Sequence, residues 1–238
     1  MLLAFDVGNT NIVFGVYDGG KLIANWRMET DAGKSADEYG LTVNQLFGLS
    51  GVDKEKISSV IVSTVVPSTL FTIEHMSIKY FDIKPIIVEP GIKTGLTIKC
   101  NDPAQVGADR IVNAVSALSK YKGPLIIIDM GTATTFCVVT ENWEYLGGVI
   151  APGLKISSDA LFEKTAKLPK IEIENPGKLI CKSTIESMQA GVVVGHASMI
   201  DGIVKKLRNE FMSAPIKVIA TGGLATMMKD ISNSIDIV

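Results

Sequence analysis

The chain has 238 residues, 47% of them hydrophobic and 20% charged, with 23 Lys+Arg against 25 Asp+Glu and a formal net charge of −2. That length lies between one and two domains of about 150 residues, and the composition is that of a folded chain rather than a disordered one. No basic excess points to nucleic acid or an anionic membrane, the opening MLLAFDVGNTN lacks the basic stretch and apolar core of a signal peptide, and no run of about 18 uninterrupted apolar residues predicts a transmembrane helix.

Leu2–Phe5 reads as a strand, Asp6–Asn11 as a turn-rich break, Ile12–Tyr17 as a second strand, and Asp18-Gly19-Gly20 as the turn into an alternating third strand over Lys21–Glu29. Apolar residues at helical spacing predict a helix over Ala36–Phe47. A buried strand over Val60–Val66 then stops at Pro67, followed by a helix to about Tyr80 and a short strand at Ile86–Val88. Gly91–Asn101 reads as a loop with an extended segment. Asp102-Pro103 opens the next helix, with Asp as N-cap and Pro in the first turn, and it runs to about Lys120. Lys122-Gly123-Pro124 ends it and marks the junction between an N-terminal domain, 1–120, and a C-terminal domain, 121–238.

The second half starts over. Leu125–Ile128 and Phe136–Val139 read as strands, Glu141-Asn142 as a turn and Trp143–Ile150 as a third strand. A loop at Ala151-Pro152-Gly153 leads to a helix ending near Thr165. Ser183 to about Met212 reads as one long helix or two abutting ones, Ile216–Ala220 as a strand, and Thr221-Gly222-Gly223 as a turn into a last helix. The two halves match: AFDVGNTNIVFGVYDGGKLIANW resembles IIDMGTATTFCVVTENWEYLGGVI, with Asp6 opposite Asp129, Gly8 opposite Gly131, and Thr10-Asn11 opposite Ala133-Thr134. This predicts a duplicated β-β-β-α unit, each copy carrying the same loop.

A tight D-x-G turn between buried strands suits phosphate. Glycine admits close approach of a ligand, successive N–H groups with Thr and Asn side chains cradle oxygens, and a strand-end carboxylate is a natural contact for a hard cation. A lone Asp6-x-Gly8 is otherwise a plain hairpin, and it is the duplication that favours phosphate. Gly33-Lys34-Ser35 ends like a P-loop, but Met28 stands where the upstream glycine belongs, and no G-x-G-x-x-G is present. In the helix after Asp102, Asp109, Asn113 and Ser116 form one polar stripe on a mostly apolar surface, with Arg110 beside it. Asp109 is either a base in a cleft, with Arg110 holding an anion, or half of a buried Asp–Arg bridge. The Gly147-Gly148-x-x-Ala151-Pro152-Gly153 run and Thr221-Gly222-Gly223 are either ligand-approaching backbone or ordinary turns. Ser183 reads as an N-cap. Cys100, Cys137 and Cys181, at wide spacings, form neither a disulfide framework nor a metal cluster, which predicts a cytoplasmic protein with reduced thiols. His75 and His196, the two histidines, are read as surface or core residues without a special role.

Taken in order, D-V-G-N-T-N at Asp6–Asn11, G-A-D-R at Gly107–Arg110, D-M-G-T-A-T-T at Asp129–Thr135, G-G-x-x-A-P-G at Gly147–Gly153 and A-T-G-G at Ala220–Gly223 resemble the type III pantothenate kinases. These belong to the acetate/sugar kinase, Hsp70 and actin superfamily. The resemblance implies an α/β fold of two ribonuclease-H-like (actin-like ATPase) domains with an interdomain cleft, a cytoplasmic homodimer, and ATP-dependent phosphorylation of pantothenate, the first step of coenzyme A synthesis. It implies no nucleic acid or membrane partner. By the resemblance, Asp6, Val7, Gly8, Asn9, Thr10, Asn11, Ile12 and Val13 form the first phosphate loop, with Asp6 near Mg²⁺, and Thr132, Gly222 and Gly223 serve ATP. Gly107, Ala108, Asp109 and Arg110 hold pantothenate, with Asp109 as general base, and Thr184 contacts substrate. Asp129 binds K⁺ or NH₄⁺. Cys100 stands where the family usually has an aromatic residue that shapes the pantothenate pocket. The chain stops at Val238, shortly after the A-T-G-G turn, where family members continue through a further short segment; this predicts a less enclosed adenosine side. Rival readings are a kinase of another small anionic or sugar substrate, a non-catalytic accessory factor of transcription, and a polymerising actin-like protein, for which the chain is short.

Overall fold

Leu3, Phe5 and Val7 are buried while Ala4 and Asp6 between them are not, so β1 (Leu2–Val7) offers one face to a core and keeps the other apart. In the computed structural model, which describes residues 1–89, 91–211 and 215–238, β1 pairs antiparallel with β2 (Asn11–Asp18), and β2 with β3 (Lys21–Glu29). Gly19 and Gly20 make the second turn with φ of 54° and 83°, the left-handed pair that a two-residue hairpin needs. On its other side β1 pairs parallel with β4 (Ser59–Thr64), and β4 with β5 (Ile86–Val88), giving the order β3-β2-β1-β4-β5.

Helices α1 (Ala36–Ser50) and α2 (Pro67–Phe81) cover the core face. Ser35 starts α1 through a capping box with Glu38, so the Gly33-Lys34-Ser35 triplet serves as a helix cap. Pro67 starts α2 at a position where its missing N–H costs nothing. Beneath them the rings of Phe5, Phe14, Trp26 and Phe47 run in sequence at centroid spacings of 5.2, 5.2 and 5.3 Å.

The second sheet repeats the plan. β7 (Leu125–Met130), β8 (Ala133–Val139) and β9 (Glu144–Pro152) are antiparallel, and β10 (Lys217–Thr221) lies parallel to β7. The order is β10-β7-β8-β9-β6, with the two-residue β6 (Thr97–Ile98) added at the β9 edge. Beyond β10, Ile219 bridges to Ile237, with Ala220 N–H donating to Ile237 O at 2.8 Å. Against this sheet pack α4 (Leu154–Glu163), a π-helical turn (Ala190–Val194) that follows α5 (Thr184–Gln189), α6 (Gly195–Phe211) and α7 (Ala225–Lys229). Ile126, Ile128, Phe136, Val193, Ile200 and Val218 form the centre of that core.

The chain divides into two compact units, Met1–Lys93 with Asp102–Val112 and Thr94–Asn101 with Asn113–Val238. Among the described residues no helix is long and apolar enough to cross a membrane.

Three expectations are corrected, and the helix expected from Ser183 is borne out: Ser183 caps a continuous helical run in which a π turn joins α5 to α6, while its expected end at Met212 lies outside the described residues. The helix after Asp102 does not start there: Asp102 caps a 3₁₀ turn, Pro103–Gln105, and α3 runs over Ala108–Lys120 after a break at Val106-Gly107. Ala151 and Pro152 are the last residues of β9 rather than loop. The halves also align with a one-residue gap, because three residues join β1 to β2 and two join β7 to β8. Asp6 pairs with Val13 and Asp129 with Thr135, so Thr10-Asn11 correspond to Thr132-Ala133 instead of Ala133-Thr134.

Phe14 is 1% exposed at the middle of the ring series. Phe14→Ala is expected to cost about 3–5 kcal/mol of stability, read as a lowered urea midpoint with unchanged slope.

Candidate functional site

In the first unit the turn after β1 is closed by Gly8 N–H donating to Asn11 O at 3.0 Å. Thr30, just past β3, braces it twice: its N–H donates to Thr10 O at 3.0 Å and its hydroxyl to Gly8 O at 2.7 Å. Asn9 and Thr10 at the tip are exposed, as is Asp6 on β1 before it, while Val7 and Ile12 are buried in the sheet. The turn therefore has a rigid base and an open tip. Val65 N–H donates to Val7 O at 3.1 Å, so the chain leaving β4 lies beside this turn.

Gly107 caps α3 in the same unit: Arg110 and Ile111 N–H both donate to its carbonyl, at 3.1 and 3.2 Å. A Cβ on Gly107 would stand 2.5 Å from Asp109 Oδ1 and 3.8 Å from Val65 Cγ1. The missing side chain is the space in which the Asp109 carboxylate lies, folded back over the first turn of the helix. Asp109 and Arg110 are half-buried and Ala108 is buried.

In the second unit Asp129 is half-buried near the end of β7, and Asn113 Nδ2 donates to its Oδ2 at 2.8 Å. Asn113 lies in α3, and its amide fixes one carboxylate oxygen of Asp129. Gly131 N–H closes the following turn onto Ala133 O at 3.1 Å, and Thr132 is exposed at the tip. Two other glycines pack directly on this backbone. A Cβ on Gly153 would overlap Thr132 O and lie 2.7 Å from Gly131 O. A Cβ on Gly222, which has φ of 100°, would lie 2.5 Å from Met130 O. The A-P-G and A-T-G-G motifs thus hold the second D-x-G turn from two sides, while Gly223 points into open space. Behind the turn, Thr134 Oγ1 lies 3.0 Å from His196 Nε2, both residues being buried.

The other expected site residues lie elsewhere in this unit. Cys100 is half-buried, and its Sγ would be 3.9 Å from a Cβ on Gly147. Thr184 is exposed at the first position of α5, beside the Ser183 cap that accepts from Glu186 N–H. Asn113 and His196 are the two candidate positioning residues to which the sequence reading gave no task. Asn113 was visible as a polar residue one turn beyond Asp109 on an apolar helix. His196 had no local signal, because its partner is 62 residues away.

Three strands antiparallel and one parallel, twice over, with a carboxylate near the end of the first strand in each, define an α/β protein of the actin-like ATPase class. Solved structures share this fold. A Campylobacter jejuni protein described as a Baf family transcriptional activator aligns with a TM-score of 0.59 at 16% identity, covering 99% of this chain and 90% of that one. A Sinorhizobium meliloti protein described as a 2-dehydro-3-deoxygalactonokinase gives 0.58 at 10% identity, with 100% and 92% covered. The activator of 2-hydroxyisocaproyl-CoA dehydratase from Clostridium difficile, solved with bound ADPNP, gives 0.50 at 14% identity, with 100% and 88% covered. At such identities the likeness is one of fold. The particular family comes from the sequence: residues 2–206 match the model of the type III pantothenate kinases, and the chain belongs to that family.

Gly222→Ala is expected to lose about 2–4 kcal/mol through strain and backbone overlap, whereas Gly223→Ala stays within about 0.5 kcal/mol; thermal denaturation of the pair checks this. Burial holds His196 below its ordinary value of 6.5. The folded protein therefore keeps it neutral where the unfolded chain takes up a proton. Its contribution to stability is complete above pH 6.5 and is lost as pH falls below it. The lowered carboxyls of Asp37, Glu38, Glu186 and Asp201 start from 4.5 or less, so their losses come at lower pH. Between pH 7 and 5 the wild type should lose stability at no more than about 1.4 kcal/mol per pH unit on this account, and His196→Gln should remove that slope in urea titrations.

Proposed function

We propose that the protein transfers the γ-phosphoryl group of ATP to the primary hydroxyl of pantothenate, giving 4'-phosphopantothenate, with Asp109 as the general base. The family supplies the reaction class, and the observation that carries the assignment of the base is the first turn of α3. There, a carboxylate occupies the space left by Gly107, with Arg110 next in sequence. Phosphoryl transfer asks little covalent chemistry of a protein and depends on positioning and charge stabilisation. Asp109 takes the hydroxyl proton as the oxygen attacks phosphorus, a contribution of about 10²–10⁴ in rate. The guanidinium of Arg110 meets the pantothenate carboxylate, with Gly107, Ala108, Cys100 and Thr184 as the other substrate contacts that the family resemblance implies.

The exposed tip Asn9-Thr10, held by Gly8, Asn11, Ile12 and Val13, offers its N–H groups and hydroxyls to phosphate; Thr132, Gly222 and Gly223 serve ATP as the family resemblance implies. Among the described residues no three His, Cys, Asp or Glu side chains cluster. That donor set fits Mg²⁺ bound through the phosphates of ATP and one carboxylate, Asp6, rather than a protein cage. Bound with the nucleotide, Mg²⁺ neutralises charge on the phosphate oxygens. Asp129, one oxygen of which accepts from Asn113, would hold the monovalent cation, K⁺ or NH₄⁺, that the family resemblance implies. The reading is of a cytoplasmic homodimer, as the family resemblance implies.

The test is ATP consumption with and without pantothenate, in Mg²⁺ buffer with K⁺ or Na⁺. Pantothenate-dependent turnover that needs K⁺ is the expected outcome, with Asp109→Asn folded, still binding ATP, and slower by about 10²–10⁴. Near-normal turnover in Asp109→Asn would remove it as the base. A folded, ATP-binding wild type inert toward pantothenate would move the reaction to another small anionic or sugar substrate.

A further inference from the structure

The first sheet has a second face. Pairing places Asp6 level with Val13 and Ser63, Ala4 level with Gly15 and Ile61, and these side chains lie opposite the face that α1 and α2 cover. The face carries a cavity of about 470 Å³, within the usual range for small-molecule sites. Its floor carries small residues, Ala4 on β1 and Gly15 on β2. The Leu22 side chain lies over Gly15, where a Cβ would stand 2.8 Å from Leu22 Cδ1 and 3.1 Å from Ala24 O, so that glycine answers to its β3 neighbours. Val88 of β5 and Val112 of α3 supply apolar wall, and Tyr17 and Asn25 lie toward the β2–β3 side.

One polar atom in this wall is unexplained. Ser63 is 6% exposed, and among the described residues its Oγ is the buried side-chain oxygen that has no hydrogen-bond partner. Its neighbours in β4, Val62 and Thr64, occupy the other face, so the hydroxyl belongs to the cavity. Buried hydroxyls are nearly always paired, and one that is not calls for a partner from outside the chain.

We propose that this cavity is a binding site for a small uncharged molecule, mostly hydrocarbon, carrying one hydrogen-bonding group that pairs with Ser63. The walls are mainly apolar, which selects a hydrocarbon body. No Lys, Arg or His lines the cavity, so an anion, pantothenate and phosphates among them, finds no countercharge there. The polar group is therefore a hydroxyl or an amide rather than an acid. A ligand seated there abuts the Asp6 carboxylate one residue before the phosphate turn, so occupancy alters use of the metal–nucleotide; this consequence rests on the proposed kinase reading, and binding itself does not.

The test needs no nucleotide and no activity. Methyl-resolved NMR of the full chain is titrated with benzyl alcohol, with toluene as the probe lacking the hydroxyl and benzoate as the anionic one. Benzyl alcohol should shift the methyls of Val13, Ile61, Val88 and Val112 selectively, bind about fivefold more tightly than toluene as expected of one net hydrogen bond, and outcompete benzoate, which should leave these methyls unmoved. Ser63→Ala, a change that removes an unpaired hydroxyl and keeps the strand, should bind the two neutral probes alike. Ala4→Leu, which fills the hollow, should bind neither. Absent or scattered shifts, benzoate binding at the same methyls, or an undiminished preference for the alcohol in Ser63→Ala would each overturn the proposal.

Discussion

The backbone of Met130, Gly131 and Thr132 is packed against other backbone, and side chains are excluded from both contacts. Gly153 meets the carbonyls of Gly131 and Thr132 from one side, and Gly222 meets Met130 from the other. Backbone held this closely cannot flex to accommodate a methyl group, because interiors at this density transmit strain instead of absorbing it. The second turn is thereby fixed to β9 and to β10, which are distant in sequence and lie on opposite sides of the β7–β8 pair. Asp129, held through Asn113, and Thr134, held through His196, inherit that fixity. A site that works by positioning charge gains from such stiffness, since an ångström of play in the donors costs much of the effect.

The first turn is built differently. Its base is braced by Thr30, whose side-chain hydroxyl bond to Gly8 O stands where a close glycine contact stands in the other half. A hydroxyl at hydrogen-bond distance leaves more room than a Cα at van der Waals contact. The loop is also one residue longer, and its Asn9 and Thr10 are exposed. Duplication has preserved the strand order and the acid while the means of support have diverged. The longer turn is held at its base by a hydroxyl, and the shorter one is clamped by backbone on both sides.

Much of this was legible from local chemistry. Asp18-Gly19-Gly20 specified a hairpin because only glycine tolerates two successive left-handed residues there, and Pro67 marked the start of α2 because its ring fits a first turn and nothing later. The repeat of acid, glycine and three strands gave the duplicated sheet. What local reasoning missed was set by distant partners. The one-residue gap between the halves depends on where β7 and β8 pair, and a D-x-G followed by small and hydroxyl residues reads the same in either register. Asp102-Pro103 has every property of a helix start and does cap a turn, but a 3₁₀ one. The chain then breaks at Val106-Gly107, where α3 has to begin again so that the Asp109 carboxylate can fold into the space beside Gly107. The His196–Thr134 pair and the lone Ser63 hydroxyl are tertiary facts with no local pattern.

The break before α3 also explains why an acid is tolerated in so apolar a helix. Had the helix run on from Asp102 without interruption, Asp109 would have sat in its second turn, where every backbone N–H is already bonded within the helix and a half-buried carboxylate finds no donor. Starting at Ala108 puts it in the first turn, among N–H groups that have no intrahelical partner and at the positive end of the helix. The same break brings Gly107 against Val65, which follows β4, the parallel neighbour of β1. One interruption of the helix thus makes the space into which the acid folds. A sequence with Ala at 107 would keep the helix start but leave no room for the carboxylate to fold back over it.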